Sequence, residues 1–180
     1  MGGWLMDGAK VVCAFAHAVQ PDDIARFEVE VGRPEHQALL EALAPLVAVR
    51  LFSRGGKLRP QGAWHPGGMA LVRVKSGSKA AIGTALRMAS PDRRMNAVGR
   101  ELAFDQAVGD YHIDTFVHTP GVANVSPDYL SRLSAPDAEH RLEPPALRGV
   151  PRVRVPGRSA AYWRTWDAPE EEQPTPAEES

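Results

Sequence analysis

The sequence predicts a mixed α/β domain in which strands come first and helices then alternate with strands, followed by a disordered C-terminal arm. Apolar residues follow strand or helix periodicity as far as Leu133, and eight prolines with few aliphatic residues come after it. A proline-rich segment of this kind buries too little apolar surface to offset the entropy of ordering its chain. We therefore expect residues 1–134 to form the folded unit and residues 135–180 to form the arm. Three aromatic residues are expected to anchor part of the arm to the domain: Tyr162, Trp163 and Trp166.

The first half of the folded unit is predicted to contain three strands and a helix. Asp7 and the glycine after it suit a tight turn, which predicts a hairpin with strands at 4–6 and 10–18. Apolar and acidic residues alternate over 27–31, which is the pattern of a strand with one buried face. Leucines at helical spacing predict a helix over 35–52.

The second half is predicted to alternate strands with helices. Strands are expected at 69–75 and 111–117, and helices at 78–89, 90–108 and 126–133. A Ser-Pro-Asp run marks the start of each of the last two helices, because serine caps a helix, proline suits its first position and an acid suits its first turn. Strands followed by alternating helices predict one mixed sheet covered by helices.

The composition excludes several classes of protein. The chain of 180 residues is 43% hydrophobic and 24% charged, which are ordinary values for a soluble globular protein. Its apolar stretches are much shorter than the roughly 20 residues of a membrane-spanning helix, so no membrane association is expected. Cys13 is the single cysteine, which excludes an internal disulfide framework and a cysteine-based zinc site. We expect an intracellular location, cytoplasmic or nuclear, as the default for such a chain.

The net charge of −1 conceals a strong asymmetry along the chain. The last 14 residues carry six acids and no base, so residues 1–166 carry 21 basic and 16 acidic residues, a net charge of +5. Between Glu143 and Asp167 there is no acid, and there are five arginines: Arg148, Arg152, Arg154, Arg158 and Arg164. This pattern permits binding to a polyanion with the acidic tail as a competitor, although charge alone favours a solvated extension.

The most informative segment joins a predicted strand end at His118 to the first turn of the last predicted helix. It resembles the closing motif of the RNase H domain of Ty3-like retrotransposon reverse transcriptases, in which a Pro-Gly-x-x-Asn turn precedes a helix that begins Ala-Asp-x-Leu-Ser-Arg. The matching residues are Pro120, Gly121, Asn124, Asp128, Leu130, Ser131 and Arg132. Pro127 departs from the family, which usually has alanine there. The run from Val74 to Lys79 is similar to the strand-to-helix run Arg-x-Asp-Ser/His-Lys of the same family.

The resemblance implies an RNase H-like fold over residues 1–134 and an ancestral activity, hydrolysis of RNA in RNA–DNA hybrids. In this family two Mg²⁺ ions, about 4 Å apart, clamp the attacking and leaving oxygens, and four carboxylates hold the ions. Asp128 matches the last-helix Asp, and Glu41 is the best match for the helical Glu, ahead of Glu35. Gly77 stands where the family has the fourth-strand Asp. The first-strand Asp has no counterpart, so the domain is expected to be truncated at its N-terminus.

Pro45 interrupts the helix that carries Glu41. A proline inside a helix removes the bond to the carbonyl four residues back, here that of Glu41, at a cost of about 3 kcal/mol. We expect a kink that disturbs the aim of Glu41. The alternative is a helix that begins later, with Pro45 in its first turn and Glu41 outside it.

The resemblance also implies substrate contacts by His118 and Asn124, although a surface position explains His118 equally well. The implied partners are an RNA–DNA hybrid or another nucleic acid and the rest of a retroelement polyprotein. With two of four carboxylates replaced or missing, the repulsion between two Mg²⁺ ions is poorly offset, so we expect no efficient cleavage. The alternatives are a non-catalytic remnant that binds nucleic acid or serves as a scaffold, and an unrelated α/β protein.

Overall fold

The structure is a computed structural model that describes residues 1–54, 71–109, 111–120, 123–135 and 138–166. These residues form four strands: β1 (Gly2–Asp7), β2 (Lys10–Ala16), β3 (Leu71–Ser76) and β4 (His112–His118). They also form five α-helices: α1 (Pro21–Phe27), α2 (Pro34–Arg54), α3 (Lys79–Arg87), α4 (Arg93–Ala107) and α5 (Val125–Ser131). The mixed α/β class is therefore as predicted. Most of the predicted loop over 53–68 lies outside the described residues, as do Asp110 and Gly121.

The strands form two separate two-stranded sheets, whereas the sequence predicted one mixed sheet. β1 and β2 are an antiparallel hairpin, and β3 and β4 are parallel. The parallel pair is possible because α3 and α4 provide the long crossover that parallel strands require. In the described part of the chain no ladder joins the hairpin to the parallel pair.

The predicted strand over 27–31 is wrong. Residues up to Phe27 form α1, and Glu28 takes a left-handed conformation with φ of 51° that ends the helix. A capping box between Gln20 and Asp23, with Pro21 in the first turn, starts this helix. The alternating burial is real, since Phe27 and Val29 are buried and Glu28 is exposed, but a helix end followed by a turn produces it.

Helix α2 is the central element of the core, and Glu41 lies within it. Leu43, Leu46 and Val47 of this helix are almost fully buried. The helix begins at Pro34 and continues through Pro45, so the alternative in which Glu41 lies outside the helix is wrong.

The segment predicted as a separate arm belongs in large part to the folded unit. Ala14 of β2 donates its N–H to the carbonyl of Pro151 at 3.0 Å and accepts from the N–H of Val153 at 2.8 Å. Leu147 and Val155 are buried, and Arg158 is fully buried. The prolines did not prevent order here, because apolar side chains between them find places against the domain and the arginine finds an acidic partner.

The expected aromatic anchor is present in the structure. Trp163 and Trp166 both pack edge to face on Phe27 of α1, with ring centroids 5.4 and 4.9 Å apart. Tyr162 packs in the same way on Trp163 at 5.3 Å. This cluster fixes residues 162–166 against the first helix. The acidic tail that follows lies outside the described residues.

Candidate functional site

The parallel strands β3 and β4 end side by side, and the predicted site residues Gly77 and His118 lie at this edge. The N–H of Thr119 donates to the carbonyl of Ser76 at 2.9 Å, which continues the pairing past the strand ends. The Nε2 atom of His118 lies 3.2 Å from the carbonyl oxygen of Gly77. His118 is exposed, so its ring covers the strand end from the solvent side. The carboxyl ends of parallel strands are where α/β proteins usually bind ligands.

Asn124, in the loop before α5, lies at the same end of the two parallel strands. A Cβ atom added to Gly77 would lie 2.9 Å from the Nδ2 atom of Asn124. Glycine therefore allows the amide to approach the strand end closely, and a larger residue would require Asn124 to move. Three of the residues singled out by the motif are thus neighbours in space: Gly77, His118 and Asn124.

The start of α3 adds hydroxyl and amide groups to this corner. Ser78 caps the helix, since its Oγ atom accepts from the N–H of Ala81 at 3.2 Å. The Oγ atom of Ser76 accepts from the N–H of Ser78 at 3.1 Å. The helix start predicted at 78 is confirmed, and both hydroxyls have roles in the turn between β3 and α3.

Asp128 lies in the first turn of α5, as the motif predicted. The helix is seated on β1, because a Cβ atom at Gly2 would meet the backbone of Leu130 at 2.5 Å. Asp128 accepts from Nε of Arg132 at 2.8 Å, and about half of each side chain is exposed. The Ser-Pro-Asp run did not place the helix start correctly, since α5 begins at Val125 with Asn124 as its cap residue.

Glu41 does not join Asp128 in any contact that the structure describes. Its Oε1 atom accepts from Nε2 of Gln37, one turn earlier on α2, at 3.0 Å. Glu35, the less favoured candidate, pairs instead with Arg33 at 3.3 Å on the exposed start of the helix. The structure thus groups the strand-end residues but gives each predicted carboxylate its own local partner.

The donor groups at this corner do not fit a pair of Mg²⁺ ions. Magnesium requires several oxygen ligands in near-octahedral geometry. Gly77 supplies no side-chain oxygen, and the carboxylate of Asp128 is shared with Arg132. Within the described ranges no group of three or more His, Cys, Asp or Glu residues is arranged to hold a metal ion.

The structure also contains buried charged clusters that sequence reasoning missed. Arg50 of α2 donates to Asp105 at 2.6 Å and to Glu101 at 2.5 Å, and all three are at most 1% exposed. Glu101 also accepts from the N–H and hydroxyl of Thr165 at 2.6 and 2.7 Å. The sequence contains one indication of this cluster. Glu101 and Asp105 lie one turn apart on the face of α4 that also carries buried Leu102.

The hydrogen bonds of this network favour the charged forms of Glu101 and Arg50. Burial alone would raise the pKa of Glu101, but hydrogen bonds from Thr165 and Arg50 outweigh it and lower that pKa. Burial alone would lower the pKa of Arg50, but the bonds to Asp105 and Glu101 outweigh it and raise that pKa. Burial raises the pKa of Tyr162, whose carbonyl accepts from Arg50, to about 12.

A second buried pair joins Arg158 to Asp23 of α1, and both residues are 0% exposed. Arg158 donates from Nε to Asp23 at 2.7 Å, and its backbone N–H donates to Gln20 at 3.0 Å. Arg164 forms a further pair with Asp105 at 3.1 Å. Two of the five arginines in the acid-free stretch are therefore structural, while Arg148, Arg152 and Arg154 are exposed.

No protein-family model, curated protein or solved structure matches this chain. Among the described residues, none of the helices has the length and apolar character required to cross a bilayer. Gly77, His118 and Asn124, here called the strand-end corner, are the predicted site residues that the described structure brings together.

Proposed function

We propose that this chain is an RNase H-like domain of the retroelement reverse-transcriptase type, with an impaired metal site. The observation that carries the proposal is the proximity of Gly77, His118 and Asn124 at the ends of two parallel strands. Asn124 directly precedes α5, and the first turn of that helix contains Asp128. The motif resembles a family in which an Asp at the first of these positions and an Asp at the last share metal ions. The parallel pair β3 and β4, connected through α3 and α4 and followed by α5, supports the same proposal.

The impairment follows from the charges at this corner. By the resemblance Asp128 and Glu41 match two of the four family carboxylates, but Glu41 has no described contact with the corner, and glycine occupies a third position. Two divalent ions close together repel each other strongly unless enough anionic oxygens surround them. The chain therefore binds Mg²⁺ weakly and cleaves RNA in a hybrid inefficiently. Its partners, by the same resemblance, are an RNA–DNA hybrid and the rest of a retroelement polyprotein inside the cell.

The test returns a carboxylate to the strand end. We expect Gly77→Asp to gain a rise in melting temperature on addition of Mg²⁺, because a ligand that binds the folded state stabilises it. Asn124 must shift to admit the new side chain, and its amide is the end of a short flexible group. Gly77→Asn is the matched control, since it has the same shape without the charge.

A second substitution identifies the partner carboxylate. Asp128→Asn in the Gly77→Asp background should remove the Mg²⁺-dependent stabilisation. Efficient cleavage of a hybrid by the native chain would contradict the impaired site. An equal response of Gly77→Asp and Gly77→Asn to Mg²⁺ would contradict the proposed descent from a two-metal nuclease.

A second candidate function is nucleic-acid binding without cleavage. The observation that favours it is the exposure of Arg148, Arg152 and Arg154 in a stretch that carries no acid. Arginine contacts to phosphate give affinity without needing any metal site. The two candidates differ in chemistry and share the same expected ligand.

A further inference from the structure

We propose that the exposed residues Arg148, Arg152 and Arg154 (the arginine strip) form a surface beside α5 that binds the phosphate backbone of an RNA–DNA hybrid. The choice of a hybrid rests on the proposed function. The surface itself rests on burial, pairing and packing of the described residues, none of which the sequence alone reveals.

The fold separates the arginines of the acid-free stretch into two groups. Arg158 and Arg164 turn inward and pair with Asp23 and Asp105. The members of the strip stay at the surface. A sequence count of five arginines therefore overstates the basic surface, and the structure reduces it to three.

The backbone conformation places two members of the strip on one side. The chain is extended there, and it alternates Val153 and Val155, which turn toward the core, with Arg152 and Arg154, which are exposed. Residues two apart in an extended chain are about 7 Å apart on the same side. Both guanidinium groups are therefore within reach of neighbouring phosphates on a single backbone.

The strip is attached to a rigid part of the molecule. Val153 donates to Ala14 of β2, which fixes the extended segment along the hairpin edge. Leu147, directly before Arg148, is buried with Leu130 of α5. The segment that carries the strip is thus packed against the helix that carries Asp128. A scaffold that holds binding groups in place reduces the entropy lost on binding.

Among the described residues, one acid forms an ion pair with the strip. Glu143 accepts from Nη2 of Arg152 at 2.6 Å, and both side chains remain more than one third exposed. In the described ranges Arg148 and Arg154 have no ion pair. Within the described part of the chain, the strip therefore presents two guanidinium groups without an ion pair and one that is paired with an exposed carboxylate.

The test measures binding of the full chain to a fluorescent RNA–DNA hybrid at several salt concentrations. Replacing all three strip residues with glutamine should weaken binding to every hybrid sequence and flatten the slope of log affinity against log salt by about 2 to 3, near one for each phosphate that the variant no longer neutralises. The matched control replaces three exposed arginines on other elements: Arg73, Arg87 and Arg100. It changes the net charge equally and should leave most of the slope intact.

A second variant is expected to change the affinity for the hybrid in the opposite direction. Glu143→Gln releases Arg152 and should strengthen hybrid binding, and this gain should disappear in the strip variant. Unchanged slope in the strip variant, with native binding that remains steep in salt, would overturn the strip and leave the proposed function standing. Loss of binding in the strip variant together with equal affinity for double-stranded DNA would keep the strip and count against an RNase H-like ligand. Thermal unfolding of each variant verifies that the fold is intact.

Discussion

Asp23 and Arg158 lie 135 positions apart in the chain and are both fully buried. The pair connects α1 to the C-terminal segment, which the sequence placed in a disordered arm. Removing one partner of a buried ion pair is costly, because the other charge is left without compensation in a medium of low polarity. These two residues therefore determine much of the order of the segment that carries the arginine strip.

Replacing Asp23 with alanine should lower the free energy of unfolding by about 3–5 kcal/mol, the usual cost of leaving a buried charge unpaired. The double variant Asp23→Leu with Arg158→Met should lose less than the single one, because it removes both charges. Urea denaturation measures all three proteins. Asp22→Ala, at the exposed neighbouring position, is the control and should cost at most about 1 kcal/mol through the helix dipole. A double variant as unstable as the single one would contradict the unpaired-charge explanation.

At the scale of elements, α4 shows how one helix serves two purposes. Its start is capped by Asp92, whose carboxylate accepts from the N–H groups of Arg94 and Met95 at 2.8 and 3.1 Å. Its later turns carry Glu101 and Asp105, which hold α2 and the C-terminal segment through buried hydrogen bonds. The helix thus links the core to residues 164–166.

Replacing Asp92 with alanine should destabilise the protein by about 1 kcal/mol, which is typical of a lost N-cap. Asp92→Asn should retain most of that stability, since asparagine also accepts from the first-turn N–H groups. Thermal or urea unfolding of the two variants measures the difference. Equal losses for alanine and asparagine would show that the charge of Asp92, and its pair with Arg94, matters more than the cap.

The Glu101 network should make stability depend on acid pH. The pKa of Glu101 is lower in the folded than in the unfolded protein, because hydrogen bonds from Thr165 and Arg50 outweigh its burial. The unfolded state therefore takes up a proton at higher pH, so the stabilisation is complete above about pH 5.5, falls as the pH drops through the unfolded value of about 4.3, and is lost below the lowered pKa of the folded protein. Urea unfolding at pH 7 and at about pH 3 should show a smaller difference in Glu101→Gln than in the native chain. An identical difference in both would contradict this assignment, and Glu28→Gln is the surface control.

The elements that the sequence predicted well are those with strong local signals. Ser78 and the apolar spacing of α2 marked helices that the structure contains, and Asp7 with its glycine marked the hairpin. The predicted strand over 27–31 failed because burial alternates in the same way at a helix end followed by a turn. The alternation of apolar and acidic residues does not distinguish a strand from a helix end. The capping box between Gln20 and Asp23 identifies the helix.

Over the whole molecule, contacts between residues far apart in the chain determine features that local sequence patterns did not predict. Counting prolines made residues 135–180 an arm, but Arg158 and Trp163 find their partners on α1, far away along the chain. The candidate site divides in a similar way. The motif singled out Gly77 and Asn124 separately, and the structure brings them together, whereas the local partners of Glu41 and Asp128 depend on side-chain contacts that no motif encodes.

The distribution of charge over the whole chain leads to a last prediction. Residues 1–166 carry a net charge of +5, and the final 14 residues carry six acids and no base. A tethered acidic segment competes with a nucleic acid for basic groups, and the competition weakens as salt screens both. Replacing the six tail acids with their amides should therefore strengthen binding to an RNA–DNA hybrid, most of all at low salt.

Combining the tail change with the arginine-strip variant shows where the tail acts. If the acids compete for the strip, the gain from neutralising the tail should largely vanish when Arg148, Arg152 and Arg154 are glutamine, because two changes that share partners are not additive. A gain of the same size in both backgrounds would mean that the tail acts through the net charge of the protein rather than at the strip. The double-mutant cycle consists of the native chain, the tail variant, the strip variant and their combination, and fluorescence anisotropy at two salt concentrations measures the affinity of each for the hybrid. The free energies of unfolding should stay equal within each pair of proteins that differs only in the tail.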